Sequence, residues 1–344
     1  MAKINSRILV FAGAGASKAV NLSQFPTTKE FFERLPEDVT SNFYFGLIVK
    51  YLQSFQGLET IDIEHVLWAL QNLSDFYNKI SSTKTLEGYA IHRNLLTQIH
   101  PGYSSGNLAQ FSGQLRDQIN EVVGDINRIV YELYGYEPSR EEISENWIDL
   151  ISRLDGQGSR LELFTTNYDG VIEAALTRYA DDETSRAYRG IRGVVRQSLD
   201  LTAWAGGSEW QPILLTKLHG SLDWKYGGNS IFVGDPVFTG DHKKQAIIYP
   251  GFKGTNDAPF FDVFHNHLAE TLADSKLVIF IGFAFRDDYV NLLLRENIRQ
   301  PAKVVCINPD KSIKFPSARV EANYIHASFD KKAIDRAMKM SGLD

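Results

Sequence analysis

Cysteine is almost missing from this chain: Cys306 is the only one in 344 residues. That excludes an internal disulfide and a cysteine-based zinc ribbon, and it reads as a reduced, intracellular protein. Basic residues are not in excess either. Lys plus Arg number 36 against 42 acids, a net charge of -6. Such a balance argues against direct nucleic-acid binding and against a surface made to coat anionic membrane, although a local basic patch survives any average. No hydrophobic run is long enough to span a bilayer. The apolar stretch near the N-terminus ends in glycines within a few residues and lacks a signal-peptide cleavage pattern. The expectation is a soluble, cytoplasmic protein. Internal repeats and low-complexity tracts are absent. What is present, 43% hydrophobic and 23% charged residues, suffices for a substantial core in one large or two ordinary domains.

Continuous apolar runs mark strands buried on both faces: Ile8 to Ala12, Leu161 to Thr165, Ile213 to Leu218, Ala246 to Tyr249, Leu277 to Ile281 and Val304 to Ile307. Helical patterns follow several of them, as at Val171, Ile172, Ala175 and Leu176, or Tyr289, Val290, Leu293 and Leu294. The fold class expected is α/β, a Rossmann-like, mostly parallel sheet with helices on both faces. Between the first two strands the periodicity is helical nearly throughout. Ile63, Val66, Leu67, Leu70 and Leu73 form one stripe, and Leu108, Phe111, Leu115, Ile119, Val122, Ile126, Ile129 and Leu133 a longer one. Ser139 with Glu142 reads as a capping box opening a helix through Ile143, Trp147, Leu150, Ile151 and Leu154, with Gly156 as its stop. A discontinuous α/β domain, 1–35 and 157–344, is therefore expected to carry a large all-helical insertion, 36–156. Thr202 to Gly207 and Tyr226 to Ser230 read as loops, the second a hairpin tip.

Chemistry-bearing residues cluster where these strands end. Gly13-Ala14-Gly15-Ala16-Ser17 follows the first strand, and glycines there allow backbone N–H groups to approach a pyrophosphate at a helix N-terminus. The loop is not a Walker sequence, because Lys18 follows Ser17 instead of preceding a Ser or Thr. Nor does it lead into a second strand ending in a ribose-reading acid, so a dehydrogenase is disfavoured. A second strand runs into Thr166-Asn167-Tyr168-Asp169, and a third into His219-Gly220-Ser221. Carboxyl ends of parallel strands line the ligand crevice, so these side chains should share one cleft with the glycine loop. Asn and Asp at a strand-to-helix junction are also ordinary caps, a reading that suits Asp169 best.

Taken in order, GAGAS at 13–17, TTNYD at 165–169, KLHGS at 217–221, IGFAF at 281–285 and VVCINPD at 304–310 resemble the motif series of the sirtuin-like NAD-consuming superfamily. The resemblance covers the α/β portion and leaves the helical block unmatched. It implies that Gly13, Ala14, Gly15 and Ser17 hold the pyrophosphate and adjoining ribose, with Thr166 beside them. It implies that Asn167 and Asp169 face the nicotinamide and its ribose, and that His219 is the base. Gly282 and Phe283 would border the dinucleotide, and Asn308 would hydrogen-bond the adenosine ribose. Protein-deacylating sirtuins carry a four-cysteine zinc module, which this chain cannot form, and the helical block stands in its place. Phe25-Pro26-Thr27-Thr28-Lys29 also lacks the arginine that usually follows the glycine loop.

The chain therefore looks more like the bacterial anti-phage branch, whose members destroy NAD+ during infection. The resemblance then implies an NAD+ glycohydrolase releasing nicotinamide and ADP-ribose, using NAD+ as substrate and no metal. A homo-oligomer is expected, with a motor ATPase (HerA-like) or an Argonaute-like protein as a further partner. Two other readings stay open: ADP-ribosyl transfer or protein deacylation, and a non-catalytic subunit that senses NAD+ or ADP-ribose.

Three weaker constellations have bland explanations. His265-Asn266-His267 lies in a helical stretch and reads as surface or capping. Arg189, Arg192 and Arg196 would form a solvated basic helical face. Trp224 and Tyr226 suit either a cover over the nicotinamide or simple core packing.

Overall fold

The computed structural model describes residues 7–55, 63–82, 85, 90, 93–94, 97, 100, 107–155, 157, 160–182, 187–188, 191–192, 198–199, 201, 204, 212–227, 230–234, 245–247 and 259–343. Its strands, in chain order, are β1 (Arg7–Ala12), β2 (Arg160–Thr165), β3 (Ala187–Tyr188), β4 (Ile191–Arg192), β5 (Ser198–Leu199), β6 (Ile213–Lys217), β7 (Gly220–Gly227), β8 (Ser230–Val233), β9 (Gln245–Ile247), β10 (Ser275–Ile281), β11 (Lys303–Ile307) and β12 (Ala322–Ile325).

Seven of them form one parallel sheet in the order β12-β11-β10-β1-β2-β6-β3. The chain builds outward from β1 through β2 to β6, then returns to the other side of β1 at β10 and builds outward again. The topological switch thus lies between β1 and β10, where open α/β sheets form their ligand crevice. Register brings the strand ends level: Ala12 sits beside Thr165 and Ile281, Thr165 beside Lys217, and Ile281 beside Ile307.

Alternation along β1 sends Ile8, Val10 and Ala12 into one core, and Leu9 and Phe11 into the other. Both are fully buried, which is why the strand reads as an unbroken apolar run. The first face is covered by helices α1 (Ala14–Val20), α7 (Arg140–Ile143), α8 (Asp149–Asp155), α9 (Val171–Asp182) and α12 (Lys331–Ser341). Covering the second are α10 (Pro259–Asp274), α11 (Asp288–Asn297) and a smaller antiparallel sheet, β4-β5-β8-β7-β9.

That smaller sheet corrects part of the sequence reading. The run at Ala246 does not add a parallel strand but forms β9, paired antiparallel with β7. Gly220, at φ +83°, turns the chain out of the parallel sheet, and a Cβ there would lie 1.9 Å from the Ala246 carbonyl oxygen. Tyr226 belongs to strand β7, whose Gly227 pairs with Ser230 of β8; the tip at 228–229 lies outside the described residues. Arg192 is in β4, so no basic helical face forms there, while Arg189 and Arg196 lie outside the described residues, as do Gly156, Tyr249 and most of 202–207.

The helical block has its own core. Helices α2 (Thr28–Glu33), α3 (Glu37–Thr40), α4 (Phe43–Phe55), α5 (Ile63–Ser81) and α6 (Leu108–Tyr134) surround Val66, Leu70, Ile119, Val123 and Ile126. Asn107 opens α6 by accepting the Ala109 and Gln110 N–H groups. The capping box at Ser139 and Glu142 is present. It opens α7, which passes through one π turn (Ser144–Ile148) into α8, and Ile143, Trp147, Leu150, Ile151 and Leu154 pack on the sheet instead of on the helical core. Among the described residues no helix is long and apolar enough to cross a membrane.

Candidate active site

The glycine loop at the tip of β1 touches the tip of β10. Gly13 N–H donates to the Ile281 carbonyl at 2.9 Å and Gly15 N–H to the Gly282 carbonyl at 3.0 Å. Gly282 sits at φ +57°, and a Cβ on it would fall 2.3 Å from the Ala16 nitrogen; one on Gly13 would fall 2.7 Å from the Gly282 oxygen. The glycines are therefore required first by backbone packing across the switch point, which brings two strand tips and the start of α1 together.

On the other side of β1, the tip of β2 reaches back to the same loop. Asn167 donates through Nδ2 to the Gly13 carbonyl at 3.0 Å and to Ser17 Oγ at 2.9 Å, while its own N–H donates to Thr165 Oγ1. Thr166 N–H donates to the Ala12 carbonyl at 3.3 Å. Asp169 is buried; its Oδ1 accepts the Val171 N–H and so caps α9, and Ser17 hydrogen-bonds the same carboxylate. Burial pushes the Asp169 carboxyl above its ordinary value, opposed by the charge of Lys217. That buried lysine donates to the Tyr168 and Asp169 carbonyls at 3.2 and 2.5 Å, to Glu173 Oε1 at 2.7 Å and to Ser221 Oγ at 2.9 Å. Four acceptors around one ammonium tie the turn after β2 to β6.

At the tip of β6, His219 is only 2% exposed. Its Nε2 lies 2.9 Å from Asp287 Oδ2, and its ring is 6.4 Å from that of Tyr168. The Tyr168 hydroxyl in turn donates to Glu64 Oε1 on α5 at 2.8 Å, so the helical block touches the turn that carries Asn167. Sequence reasoning missed Asp287, Lys217 and Glu64. The signal for Asp287 was an acid at the end of the loop after IGFAF, just before an apolar helical repeat.

Farther along the sheet edge, Asn308 Nδ2 donates to the Phe283 carbonyl at 3.1 Å, and Asn308 N–H to the Ile325 carbonyl. Phe283 is buried, its ring 4.6 Å from that of Phe11. These two residues join the tips of β10 and β11. Gly13, Ala14, Gly15, Ser17, Thr166, Asn167, Asp169, His219, Gly282, Phe283 and Asn308 thus all sit at or just beyond the carboxyl ends of five adjacent strands.

His265 and His267 are neither surface nor capping residues. Both are buried on α10, where His267 Nε2 lies 3.0 Å from Glu162 Oε2 and His265 packs edge-on against Tyr289. Trp224 is buried against Phe264, a core position, and Tyr226 is half-buried beside it. Among the described residues no group of three or more His, Cys, Asp or Glu side chains is placed to hold a metal ion.

Residues 161–326 match the family model described as SIR2-like domain. No curated protein matches the chain. Among solved structures it is similar to a Sir2 homolog–NAD complex, at 12% identity and TM-score 0.41, covering 98% of this chain and 91% of that one. It is similar also to a Sir2–p53 peptide–NAD+ complex, at 11% identity and TM-score 0.40, covering 98% and 94%. Residues 161–326, slightly under half of the chain, are thus similar to a SIR2-like domain and include β2, β6, β10, β11 and β12 of the parallel sheet.

Proposed function

We propose that this protein hydrolyses NAD+ to nicotinamide and ADP-ribose. The observation that carries the reading is the convergence of Ser17, Asn167 and Asp169 on the glycine loop, with His219 at the next strand tip; Asn167, Asp169 and His219 lie within the segment similar to a SIR2-like domain. Nicotinamide in NAD+ is a cationic leaving group, so its bond to ribose breaks without a strong acid. The electron pair goes to the pyridinium nitrogen and neutralises it. Water oxygen bonds to the anomeric carbon, and His219 takes the proton that water loses. Holding the ribose and excluding stray water supplies the rest.

In this reading Gly13, Ala14, Gly15, Ser17 and Thr166 hold the pyrophosphate and neighbouring ribose, and Gly282, Phe283 and Asn308 border the adenosine half. Asn167 orients the nicotinamide ribose or the water. Asp169 acts from below: it fixes Ser17 and the start of α9. The division into a catalytic domain, 1–35 and 157–344, and a helical insertion, 36–156, belongs to the proposal. Its boundary is amended on two points: 140–155 packs as part of the catalytic domain, and α2 with Phe31 and Leu35 packs into the helical core. The sequence resemblance extends the reading to NAD+ depletion in anti-phage defence, by a homo-oligomer gated by assembly with a motor ATPase (HerA-like) or Argonaute-like partner.

The test is to incubate purified protein with NAD+ and follow free nicotinamide. Turnover that disappears in Asn167→Ala and His219→Ala, both still binding NAD+, supports the reading. Radiolabelled ADP-ribose retained on protein would favour group transfer instead, and binding with no nicotinamide released under any assembly state would favour a sensor.

A further inference from the structure

We propose that Asp287 is a positioning residue for His219, fixing its imidazole as the Nε2–H tautomer and leaving Nδ1 as the proton-accepting nitrogen. The proposal rests on the reading of His219 as the base. An imidazole nitrogen that faces a carboxylate at 2.9 Å must carry the hydrogen, because a carboxylate only accepts. In the neutral ring the lone pair then lies on the other nitrogen. The side chains are 2% and 7% exposed, so water competes little for this contact.

Asp287 is itself held from two directions. Its Oδ1 accepts the Val290 N–H at 2.9 Å and caps the ten-residue helix α11, whose N-terminus favours the ionised carboxylate. The loop before it is over-determined. Gly282 and Phe285 both adopt left-handed backbone, at φ +57° and +53°. The Phe285 carbonyl accepts Asn291 Nδ2 at 2.7 Å, and its ring packs against Phe280, Phe283 and Phe315. A non-glycine residue kept left-handed by its surroundings is the kind of strain that recurs where a side chain must be aimed. Capping alone would not call for an acid here. Ser, Thr or Asn caps a helix as well as Asp does, and the cap uses only Oδ1. The second oxygen is the one placed on the histidine.

Asp287→Asn separates the two roles. Its amide oxygen can still cap α11, whereas its NH2 facing Nε2 would force the ring proton onto Nδ1. Nitrogen NMR of the full chain with labelled histidine, assigned with His219→Ala, should report the Nε2–H tautomer in the wild type near neutral pH and Nδ1–H in Asp287→Asn. In the nicotinamide assay kcat should fall on the order of 10²-fold or more, KM for NAD+ changing little. Asp287→Glu should recover part of the loss. If Asp287→Asn does not fold, Asp287→Ser keeps a capping hydroxyl, removes the carboxylate and serves both readouts. An unchanged tautomer, a doubly protonated wild-type ring near neutral pH, or wild-type kcat in Asp287→Asn would overturn the proposal. A tautomer change in a protein that never releases nicotinamide would instead sink the hydrolase reading and leave the pairing intact.

Discussion

Buried charge lies at both ends of β2, and the two clusters differ in what they are closed by. Toward its start, Glu162 is fully buried between Arg160, at 2.7 Å, and His267, at 3.0 Å, with His267 stacked on Phe164. Each partner is a side chain of the sheet or of α10, deep under the second core. Toward its end, Asp169 and Lys217 are buried and Glu173 is half-buried, and they support a turn at the strand tips, where five strands, α1 and the helical block meet. A perturbed or paired ionisable group is thus a poor guide to function by itself. Its place relative to the carboxyl ends of the sheet decides what it can do.

Substitutions can set these clusters against each other. His219→Ala should lower NAD+ turnover per folded molecule roughly 10²–10⁴-fold, a loss far larger than unfolding explains even though Asp287 loses its buried partner. Glu162→Gln should do the opposite. Removing one partner of a buried ion cluster costs about 3–5 kcal/mol in denaturant unfolding, while turnover per folded molecule is retained. If Glu162→Gln instead abolishes turnover in a folded protein, the contrast between the two ends fails.

Gly282→Ala falls between these cases. Left-handed backbone and a Cβ 2.3 Å from the Ala16 nitrogen should cost roughly 1–3 kcal/mol and weaken NAD+ binding together, because the glycine loop must retreat. Calorimetric titration with NAD+ checks both halves. Cys306 offers a smaller contrast. Burial in β11 pushes its thiol up to about 12, so native protein should resist thiol alkylation near neutral pH and expose its single thiol only in denaturant. Rapid native labelling would mean that the second core opens.

The smallest effect concerns the surface pair between Lys18 and Glu30, where the ammonium and the Thr27 capping interaction hold the Glu30 carboxyl at about 2, below its ordinary 4.5. This depressed value contributes stability that is present above pH 4.5 and lost as pH falls toward 2. Because Glu30 is over a third exposed, the contribution should stay under about 1 kcal/mol. Acid unfolding of Glu30→Gln against wild type measures it.

Five strands of the parallel sheet were legible because burial on both faces leaves an apolar run, as in Ile8 to Ala12; the edge strands β3, two residues long, and β12, Ala-Asn-Tyr-Ile, carry no such run. Helices α5 and α6 were legible from their stripes. Of the antiparallel sheet, the β7–β8 hairpin and the apolar run of β9 were legible, the latter without its antiparallel pairing; β4 and β5, two residues each, are too short for any period to show. Strand-tip residues stood out by type and position, but their partners did not. Asp287 and Glu64 reach His219 and Tyr168 across 68 and 104 residues of chain, a proximity that only the fold creates. His265 and His267 misled for the same reason: their partners Tyr289 and Glu162 stand 24 and 105 residues away, so nothing local announced a core position.

The most direct test is a crystal structure of this chain with ADP-ribose. The account predicts the diphosphate against Gly13–Ser17 and Gly282, with the distal ribose between Asn167 and His219. Density for the ligand elsewhere on the molecule, with the strand tips left as they are, would contradict it.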